Sequence, residues 1–194
     1  MNKRRSVAGT QSAEATMPNP PPVARGILRG STIIAAIKAS GIEFIAALPD
    51  ITTVEGLLKP IARDAHFRFI RVCKEDEGVG ICAGLSFCDK RALLLIQSTG
   101  LLDSINALRA NAVEYSLPIC LMVGLIGKEV DRAPRDSADY GVRIVEPILD
   151  AMGITRLLIE TDADVPLIEP AIARAYRDSK PLAVLIGRRP EGAA

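Results

Sequence analysis

The fold of this chain is decided by residues 67–85, which read FRFIRVCKEDEGVGICAGL. The first seven residues alternate between apolar and polar types, and we interpret them as a buried β-strand. The second half is small and apolar, which favours a helix packed tightly against a neighbouring element. Glu75 lies where the strand gives way to the helix. In an open α/β sheet, this carboxyl end of a strand is where ligands bind.

Glu75 has two interpretations. A carboxylate among Val, Gly, Ile, Cys and Ala residues is poorly solvated, which makes Glu75 a candidate for chemistry. Alternatively, acidic residues in the first turn of a helix interact favourably with the positive end of the helix dipole and need no further role. Because Glu75, Asp76 and Glu77 are neighbours, we expect at least one of the three to have only that role.

The composition excludes several classes of protein. The chain has 194 residues, of which 48% are hydrophobic and 24% charged, which suits one domain with a sizeable core. The formal net charge is only +1, so no global basic field would attract nucleic acid or a membrane surface. No apolar run approaches the length that spans a bilayer. We therefore expect neither a nucleic-acid partner nor a membrane association.

The cysteines and the N-terminus predict a cytoplasmic protein. Cys73, Cys82, Cys88 and Cys120 show neither metal-ligand spacing nor a dense disulfide pattern. We expect all four to lie within strands or helices as buried, reduced side chains. Residues 1–25 are rich in Ser, Thr, Ala and Pro, which predicts a disordered arm. They lack the apolar core of a secretory signal.

Beyond the arm, predicted strands alternate with predicted helices. This alternation indicates an α/β protein with three layers (α/β/α) and a mostly parallel sheet, formed by one domain over residues 26–190. The strands are predicted at residues 43–48, 67–73, 91–97, 117–123, 155–159 and 181–186. The helices are predicted at residues 30–40, 53–64, 77–88, 103–113, 145–152 and 166–177. We expect Pro60 to end or kink its helix, and residues 98–100 to form a turn.

Three loops that follow predicted strands should meet at one edge of the sheet. They cover residues 49–53, 74–78 and 98–104, and Glu75 belongs to the second, so we expect the functional site there. The sequence has no phosphate-binding motif of the Walker or dinucleotide type, no Cys/His metal set and no plausible Ser-His-Asp set. The single histidine, His66, lies at a helix–strand connection and is interpreted as structural or solvated.

Two blocks of sequence together resemble the family of thiamine-diphosphate-dependent enzymes. One block is the spacing from Glu75 to Ala83-Gly84. The other runs from Leu93 through Ser98-Thr99-Gly100 to Asn106-Ala107-Leu108. Within this family, the likeness is to the α subunit of sulfopyruvate decarboxylase and to phosphonopyruvate decarboxylase, and it extends over about residues 27–187.

The resemblance implies that this chain is the pyrimidine-binding half of such an enzyme. Glu75 would be catalytic and would hydrogen-bond a ring nitrogen of the thiamine aminopyrimidine, while Thr99, Gly100 and Asn106 would bind the cofactor with it. The diphosphate-binding half of the family carries a Gly-Asp-Gly motif, which this sequence lacks. A β subunit with that motif would therefore hold the diphosphate and Mg²⁺, in an α2β2 or larger complex. The chain alone would be inactive and would hold no metal.

The implied reaction is decarboxylation of a small 2-oxo acid, which releases CO₂ and an aldehyde. Pro49 and Asp50 would lie near the substrate, although Asp50 is equally well interpreted as a turn residue that caps Thr52 or Thr53. Two other functions stay open at this point. The chain could belong to a thiamine-diphosphate carboligase, or it could be a non-catalytic regulatory subunit with the same fold.

Two positions depart from the family pattern. Leu102 stands where the relatives carry a second glycine, which could narrow the pocket or change the approach of the backbone. Ile126 stands where they tend to carry an arginine, which would suit a sulfonate or phosphonate group better than isoleucine does. Arg132 and Arg135 are interpreted either as replacements for that positive charge or as solvated side chains.

Overall fold

A computed structural model of the chain describes residues 26–192, so the predicted arm at residues 1–25 lies outside the described residues. Six strands form one sheet in which every neighbouring pair is parallel. Their order across the sheet is β2-β1-β3-β4-β6-β5, and helices cover both faces. The predicted three-layer α/β/α fold is therefore confirmed. The predicted extent of the domain, residues 26–190, stays a prediction.

Strands and helices alternate along the whole described range. The first half contains α1 (Gly30–Ala39), β1 (Phe44–Ala47), a π-helical segment (Val54–Leu58) that continues as α2 (Lys59–Arg63), β2 (Arg68–Arg71), α3 (Glu75–Phe87) and β3 (Ala92–Gln97). The second half contains α4 (Ser98–Asp103), α5 (Ile105–Ala107) with a π-helical continuation (Leu108–Glu114), β4 (Cys120–Gly124), a 3₁₀ turn (Pro134–Asp136), α6 (Tyr140–Ala151), β5 (Thr155–Ile159), a 3₁₀ turn (Val165–Leu167), α7 (Ile168–Asp178) and β6 (Leu182–Ile186). Within residues 26–192, no helix combines the length and the apolar character that crossing a membrane requires.

The core lies in two layers, one on each face of the sheet. Successive side chains of a strand point to opposite faces, so Leu93 and Leu95 of β3 join the layer that contains α1, α2 and α7. Leu94 and Ile96 join the layer that contains α3 and α6. The central strands β3, β4 and β6 are buried along almost their whole length. This rigid centre fixes the edge of the sheet at which the loops following β1, β2 and β3 meet.

Three local predictions were wrong, wholly or in part. The strand at residues 67–73 is not buried, because β2 lies at the edge of the sheet formed by the described residues, pairs there with β1 alone, and exposes Arg68 and Arg71. The segment at residues 98–100 is not a turn, because α4 begins directly at Ser98. Cys73 and Cys88 are exposed, whereas Cys82 and Cys120 are buried as expected. Burial raises the pKa of the Cys82 thiol to about 12.

Pro60 does not end its helix, which was one of the two expectations for it. The preceding segment is π-helical, and the N–H of Lys59 donates to the carbonyl of Val54, five residues earlier. Pro60 then falls in the first turn of α2, where the missing N–H of a proline is tolerated. The chain therefore runs from Val54 to Arg63 without an interruption.

Candidate functional site

Two of the three neighbouring acids stabilise the start of α3. Asp76 accepts a hydrogen bond from the N–H of Glu77 (2.9 Å), and Glu77 accepts one from the N–H of Cys73 (2.8 Å). The first N–H groups of a helix have no partner within the helix, and Asp76 satisfies one of them. Glu77 instead ties the first turn of α3 to Cys73, which precedes the helix. Lys74 forms an ion pair with Asp103 at 3.3 Å. The role in helix initiation that was expected for at least one acid therefore belongs to Asp76 and Glu77.

Glu75 has a different environment. The residue is only 9% exposed, and its carboxylate accepts no hydrogen bond from any residue between 26 and 192. Burying a carboxylate without a partner costs free energy. Buried polar groups left without a partner are uncommon, and a functional role is one reason for keeping them. Glu75 is thus the acid in this turn that is available to a ligand.

Gly100 makes room for the Glu75 carboxylate. A Cβ atom at position 100 would lie 2.3 Å from Glu75 Oε1 and 2.5 Å from Glu75 Cδ, much closer than non-bonded atoms approach. Only glycine is compatible with this arrangement. The structure therefore brings two of the predicted cofactor-binding residues, Glu75 and Gly100, into direct contact, although they belong to different helices.

The other two predicted cofactor-binding residues lie differently. Thr99 is exposed in the first turn of α4, beside Gly100. Asn106 is also exposed, and its amide oxygen accepts hydrogen bonds from Nε and Nη2 of Arg109 at 3.2 and 3.1 Å. The amide oxygen of Asn106 is therefore engaged by Arg109, one turn further along the chain. The assignments of Thr99 and Asn106 stay predictions.

Sequence reasoning missed two serines near this site. Ser98 and Ser104 are almost fully buried at the two ends of α4, and the hydroxyl of each lacks a hydrogen-bond partner within the described part of the chain. Ser98 directly follows β3 and precedes Gly100 by two residues. The position of Ser98 at the end of a predicted buried strand was the one feature of the sequence that could have identified it as a candidate site residue.

Asp50 holds the turn that follows β1. Its Oδ1 atom accepts hydrogen bonds from the N–H groups of Thr52 (2.6 Å) and Thr53 (2.7 Å), and its Oδ2 atom accepts one from the Thr53 hydroxyl. The residue is 5% exposed. This is the turn role that was one of the two interpretations of Asp50. Its role toward substrate stays a prediction.

An open cleft of about 470 Å³ lies at the carboxyl ends of β1, β3 and β4. Both predicted substrate-binding residues, Pro49 and Asp50, belong to its walls. The cleft is lined by Pro49, Asp50, Ile51, Val54, Glu55, Gln97, Ile126 and Arg189. Leu102 is not among the lining residues; it is half-buried on α4. Ile126, the second departure from the family pattern, does face the cleft.

Neither arginine considered as a replacement charge lines this cleft. Arg132 lies 3.7 Å from a carboxylate oxygen of Glu129. Arg135 lies 3.2 Å from Glu146 and also pairs with Asp150. Both side chains therefore stabilise the segment between β4 and α6. The arginine that does line the cleft is Arg189, which sequence reasoning did not identify.

Charged contacts also fix the segment that follows Ile126. The side chain of Lys128 is fully buried, and its Nζ atom lies 2.5 Å from Glu160 and 2.9 Å from the carbonyl oxygen of Glu129. The Glu129 carboxylate accepts hydrogen bonds from the Ser137 hydroxyl (2.7 Å) and the Ala138 N–H (2.9 Å). These hydrogen bonds, that of Ser137 first, lower the pKa of Glu129 to about 2.

A second cleft, of about 430 Å³, lies at the amino ends of the strands, and Arg91 and Tyr176 are among its lining residues. The Tyr176 hydroxyl accepts a hydrogen bond from the N–H of Ala92 and donates one to its carbonyl oxygen. Arg91 lies over the Tyr176 ring and donates to the carbonyl oxygen of Ser40 at 2.6 Å. Because these polar groups bind one another, and no predicted site residue is present, the cleft beside Asp50 is the better candidate.

The described residues 26–192 contain no group of three or more His, Cys, Asp or Glu side chains placed to hold a metal ion. This edge of the sheet therefore offers a buried carboxylate with a glycine that accommodates it, and a cleft whose lining includes Arg189. Glu75 and Gly100 are not among the residues that line this cleft. Such an arrangement can exchange a proton with a bound heterocycle and can orient a small anion, as general acid–base chemistry requires.

Comparison with known proteins identifies the family. No protein-family model matches the chain. A sulfopyruvate decarboxylase of Methanosarcina acetivorans is 32% identical over 156 residues, which cover 79% of this chain but only 38% of that protein. The sulfopyruvate decarboxylase subunit alpha of Methanocaldococcus jannaschii is 32% identical over 160 residues, which cover 81% of this chain and 93% of that subunit. The corresponding subunit alpha of Methanococcus maripaludis is 32% identical over 88 residues, 45% of this chain and 52% of that subunit. Since the match extends over nearly all of one α subunit, the chain belongs to the sulfopyruvate decarboxylase α-subunit family.

Proposed function

We propose that this chain is the α subunit of a thiamine-diphosphate-dependent 2-oxo-acid decarboxylase and that it binds the pyrimidine end of the cofactor. The observation that carries the proposal is the Glu75 carboxylate, which is 9% exposed, has no hydrogen-bond partner among residues 26–192 and rests against Gly100. A carboxylate held in an apolar wall forms strong charge-assisted hydrogen bonds with a nitrogen donor. The aminopyrimidine ring supplies such a nitrogen.

Glu75 and Gly100 fit this role together. Glu75 would share a proton with a ring nitrogen, and its low exposure would keep water from competing for the carboxylate oxygens. Gly100 would keep the carboxylate at its present place, because any side chain there would displace it. The bound cofactor supplies a carbon nucleophile and an electron sink that stabilises the charge left when CO₂ departs.

A partner subunit completes the proposal. Two of the relatives described above are named as α subunits, and the sequence of this chain lacks a Gly-Asp-Gly motif. We expect a β subunit with that motif to hold the diphosphate and Mg²⁺. The cleft beside Asp50 would admit the 2-oxo acid, and Gln97 and Ile126 would lie along its path.

The experiment compares Glu75→Gln with Glu77→Gln in the complex with the β subunit. Both changes remove one charge from the same helical turn, but Glu77 binds the N–H of Cys73 and serves as the matched control. We expect Glu75→Gln to lower CO₂ release from sulfopyruvate about 100-fold or more, since loss of a positioned acid–base group has effects of that size. Glu77→Gln should retain most of the activity.

Three measurements make the outcome clear. Urea unfolding of both variants checks that each is folded, and calorimetry measures the affinity for thiamine diphosphate. Products are analysed with and without an acceptor aldehyde, so that a carboligase would be recognised by its longer product. Wild-type turnover by the Glu75→Gln complex would reject the proposal.

A further inference from the structure

The segment after β6 holds Arg189 at the mouth of the cleft. Pro190 packs against Gly56, where a Cβ atom would lie 2.4 Å from the carbonyl oxygen of Pro190. Glu191 donates its N–H to the carbonyl of Leu28 (2.8 Å) and accepts from the N–H of Gly30 (2.9 Å). The backbone is therefore fixed directly after Arg189, and glycine at position 56 is required for this close approach.

The guanidinium group of Arg189 is exposed, and its one hydrogen bond to residues 26–192 runs from Nη2 to the carbonyl oxygen of Ile51 at 3.1 Å. No carboxylate among residues 26–192 lies within ion-pair distance of it. Two acids line the same cleft, Asp50 and Glu55. The Asp50 carboxylate accepts the hydrogen bonds of its own turn, and Glu55 pairs with Lys59 at 2.6 Å. Arg189 is thus the cation that this cleft presents to a ligand.

The rest of the cleft suits a short carbon chain. Ile51, Val54 and Ile126 provide apolar walls, and Gln97 provides an amide at the end of β3. A guanidinium group binds carboxylate, sulfonate or phosphonate oxygens through two parallel N–H groups. A small ligand with an anionic group on a short carbon chain would fit both the apolar walls and Arg189.

We propose that Arg189 is a specificity-determining residue, which binds the second anionic group of a small dianionic 2-oxo acid. The inference rests on the proposed function and assigns the part of the chain that selects the substrate. Because Ile126 lines the same cleft, Arg189 provides the positive charge that position 126 does not. The alternative is that Arg189 only clamps the Ile51 carbonyl and stabilises the loop after β1.

The two roles differ in their substrate dependence. A clamp acts on the shape of the site, so its loss lowers the turnover of every 2-oxo acid. A specificity residue acts on the second anionic group, so its loss affects sulfopyruvate and spares 2-oxobutyrate, whose tail is neutral. The experiment measures kcat/KM for both compounds with the αβ complex of wild type, Arg189→Gln, Arg189→Lys and Arg177→Gln. Arg177 is exposed on α7 and lines the other cleft, so it controls for the loss of one positive charge.

We expect Arg189→Gln to lower kcat/KM for sulfopyruvate by about 10- to 100-fold, the range for loss of a charge-assisted hydrogen bond. The value for 2-oxobutyrate should change less than threefold by the same estimate. Arg189→Lys should be intermediate for sulfopyruvate, because lysine keeps the charge but not the planar fork, and Arg177→Gln should match wild type. An equal decrease for both compounds, or no decrease for either, would overturn the assignment.

A binding measurement separates this assignment from the decarboxylase proposal. Sulfoacetate, which has a carboxylate and a sulfonate but no keto group, is titrated calorimetrically into the wild-type and Arg189→Gln complexes. Binding that is about tenfold weaker in the variant supports the role of Arg189 even if no 2-oxo acid is turned over. Equal affinities, or no binding to wild type, would overturn it even if decarboxylation is observed.

Discussion

Substitution of Gly100 by alanine should separate the stability of the chain from the function of its site. The new Cβ atom would lie 2.3 to 2.5 Å from Oε1, Cγ and Cδ of Glu75, so the carboxylate must move. Overpacking of this kind costs about 1–3 kcal/mol. However, the atoms that must move belong to the flexible Glu75 side chain, so the loss of unfolding free energy should lie near the lower end of this range. Alanine in a helix is also about 0.5–1 kcal/mol more favourable than glycine.

The net loss of unfolding free energy should therefore be small, about 0–2 kcal/mol. For a urea m-value of about 2 kcal/mol/M, this corresponds to a decrease of at most about 1 M in the unfolding midpoint. Binding of thiamine diphosphate by the complex should nevertheless weaken as strongly as in Glu75→Gln, because the carboxylate is displaced from its position. A change that hardly affects folding would thus remove the function.

Two further variants test the cause of this effect. In a Glu75→Ala background the atoms that the new Cβ would meet are absent, so Gly100→Ala should there be neutral or stabilising. Gly84→Ala in α3 is the matched control, since its Cβ would meet nothing within 4 Å, and it should stabilise the isolated chain by about 0.5–1 kcal/mol. The reasoning is refuted if Gly100→Ala binds the cofactor with wild-type affinity, or if its cost persists without the Glu75 side chain.

Two predictions concern the segment between β4 and α6. The folded pKa of Glu129, about 2, lies below its ordinary value of 4.5, so its stabilising contribution is complete above about pH 4.5 and is lost as the pH falls toward 2. Urea midpoints are measured for wild type and Glu129→Gln from about pH 6 to about pH 2. The variant should be less stable than wild type at about pH 6, and the two should become equally stable at about pH 2. A difference that stays constant across this range would contradict a stabilising role of the ionised Glu129 carboxylate. Lys128→Met should cost about 2–3 kcal/mol in urea unfolding, because it leaves the half-buried Glu160 carboxylate without its partner, and Lys128→Met with Glu160→Gln should recover part of the loss. Wild-type stability of the single variant would show that the ion pair contributes nothing.

The sequence predicted the layers of this fold because local periodicity encodes them. Alternating runs of buried strand and amphipathic helix specify a parallel sheet with two covered faces, and the structure has that sheet. The order of the strands is not encoded locally. The alternation of residues 67–73 is compatible both with a buried strand and with an edge strand, and only the pairing of β2 with a single neighbour decides between them.

The same limit applies to the site. The position of Glu75 at a strand–helix junction was visible in the sequence, but only the structure distinguishes it from Asp76 and Glu77, which accept hydrogen bonds from nearby N–H groups. Acidic residues at three successive positions cannot be ranked by propensity, because each can interact with the helix dipole. Gly100 indicated a turn in the sequence. In the structure it lies in a helix, and its glycine character reflects contact with Glu75, 25 positions earlier.

The role of Arg189 could not be predicted from the local sequence, for a different reason. Arg189 lies outside every predicted strand and helix, so no periodicity separates it from an ordinary solvated arginine. Its position follows from contacts that no pattern in residues 187–192 reveals, namely the packing of Pro190 on Gly56 and the hydrogen bonds of Glu191 with Leu28 and Gly30. Residues 28–30 are therefore joined to residue 191 directly after Arg189. Since this junction fixes the position of Arg189, Gly56→Ala, at a residue that does not line the cleft, should change the ratio of the kcat/KM values for sulfopyruvate and 2-oxobutyrate; an unchanged ratio would contradict this account.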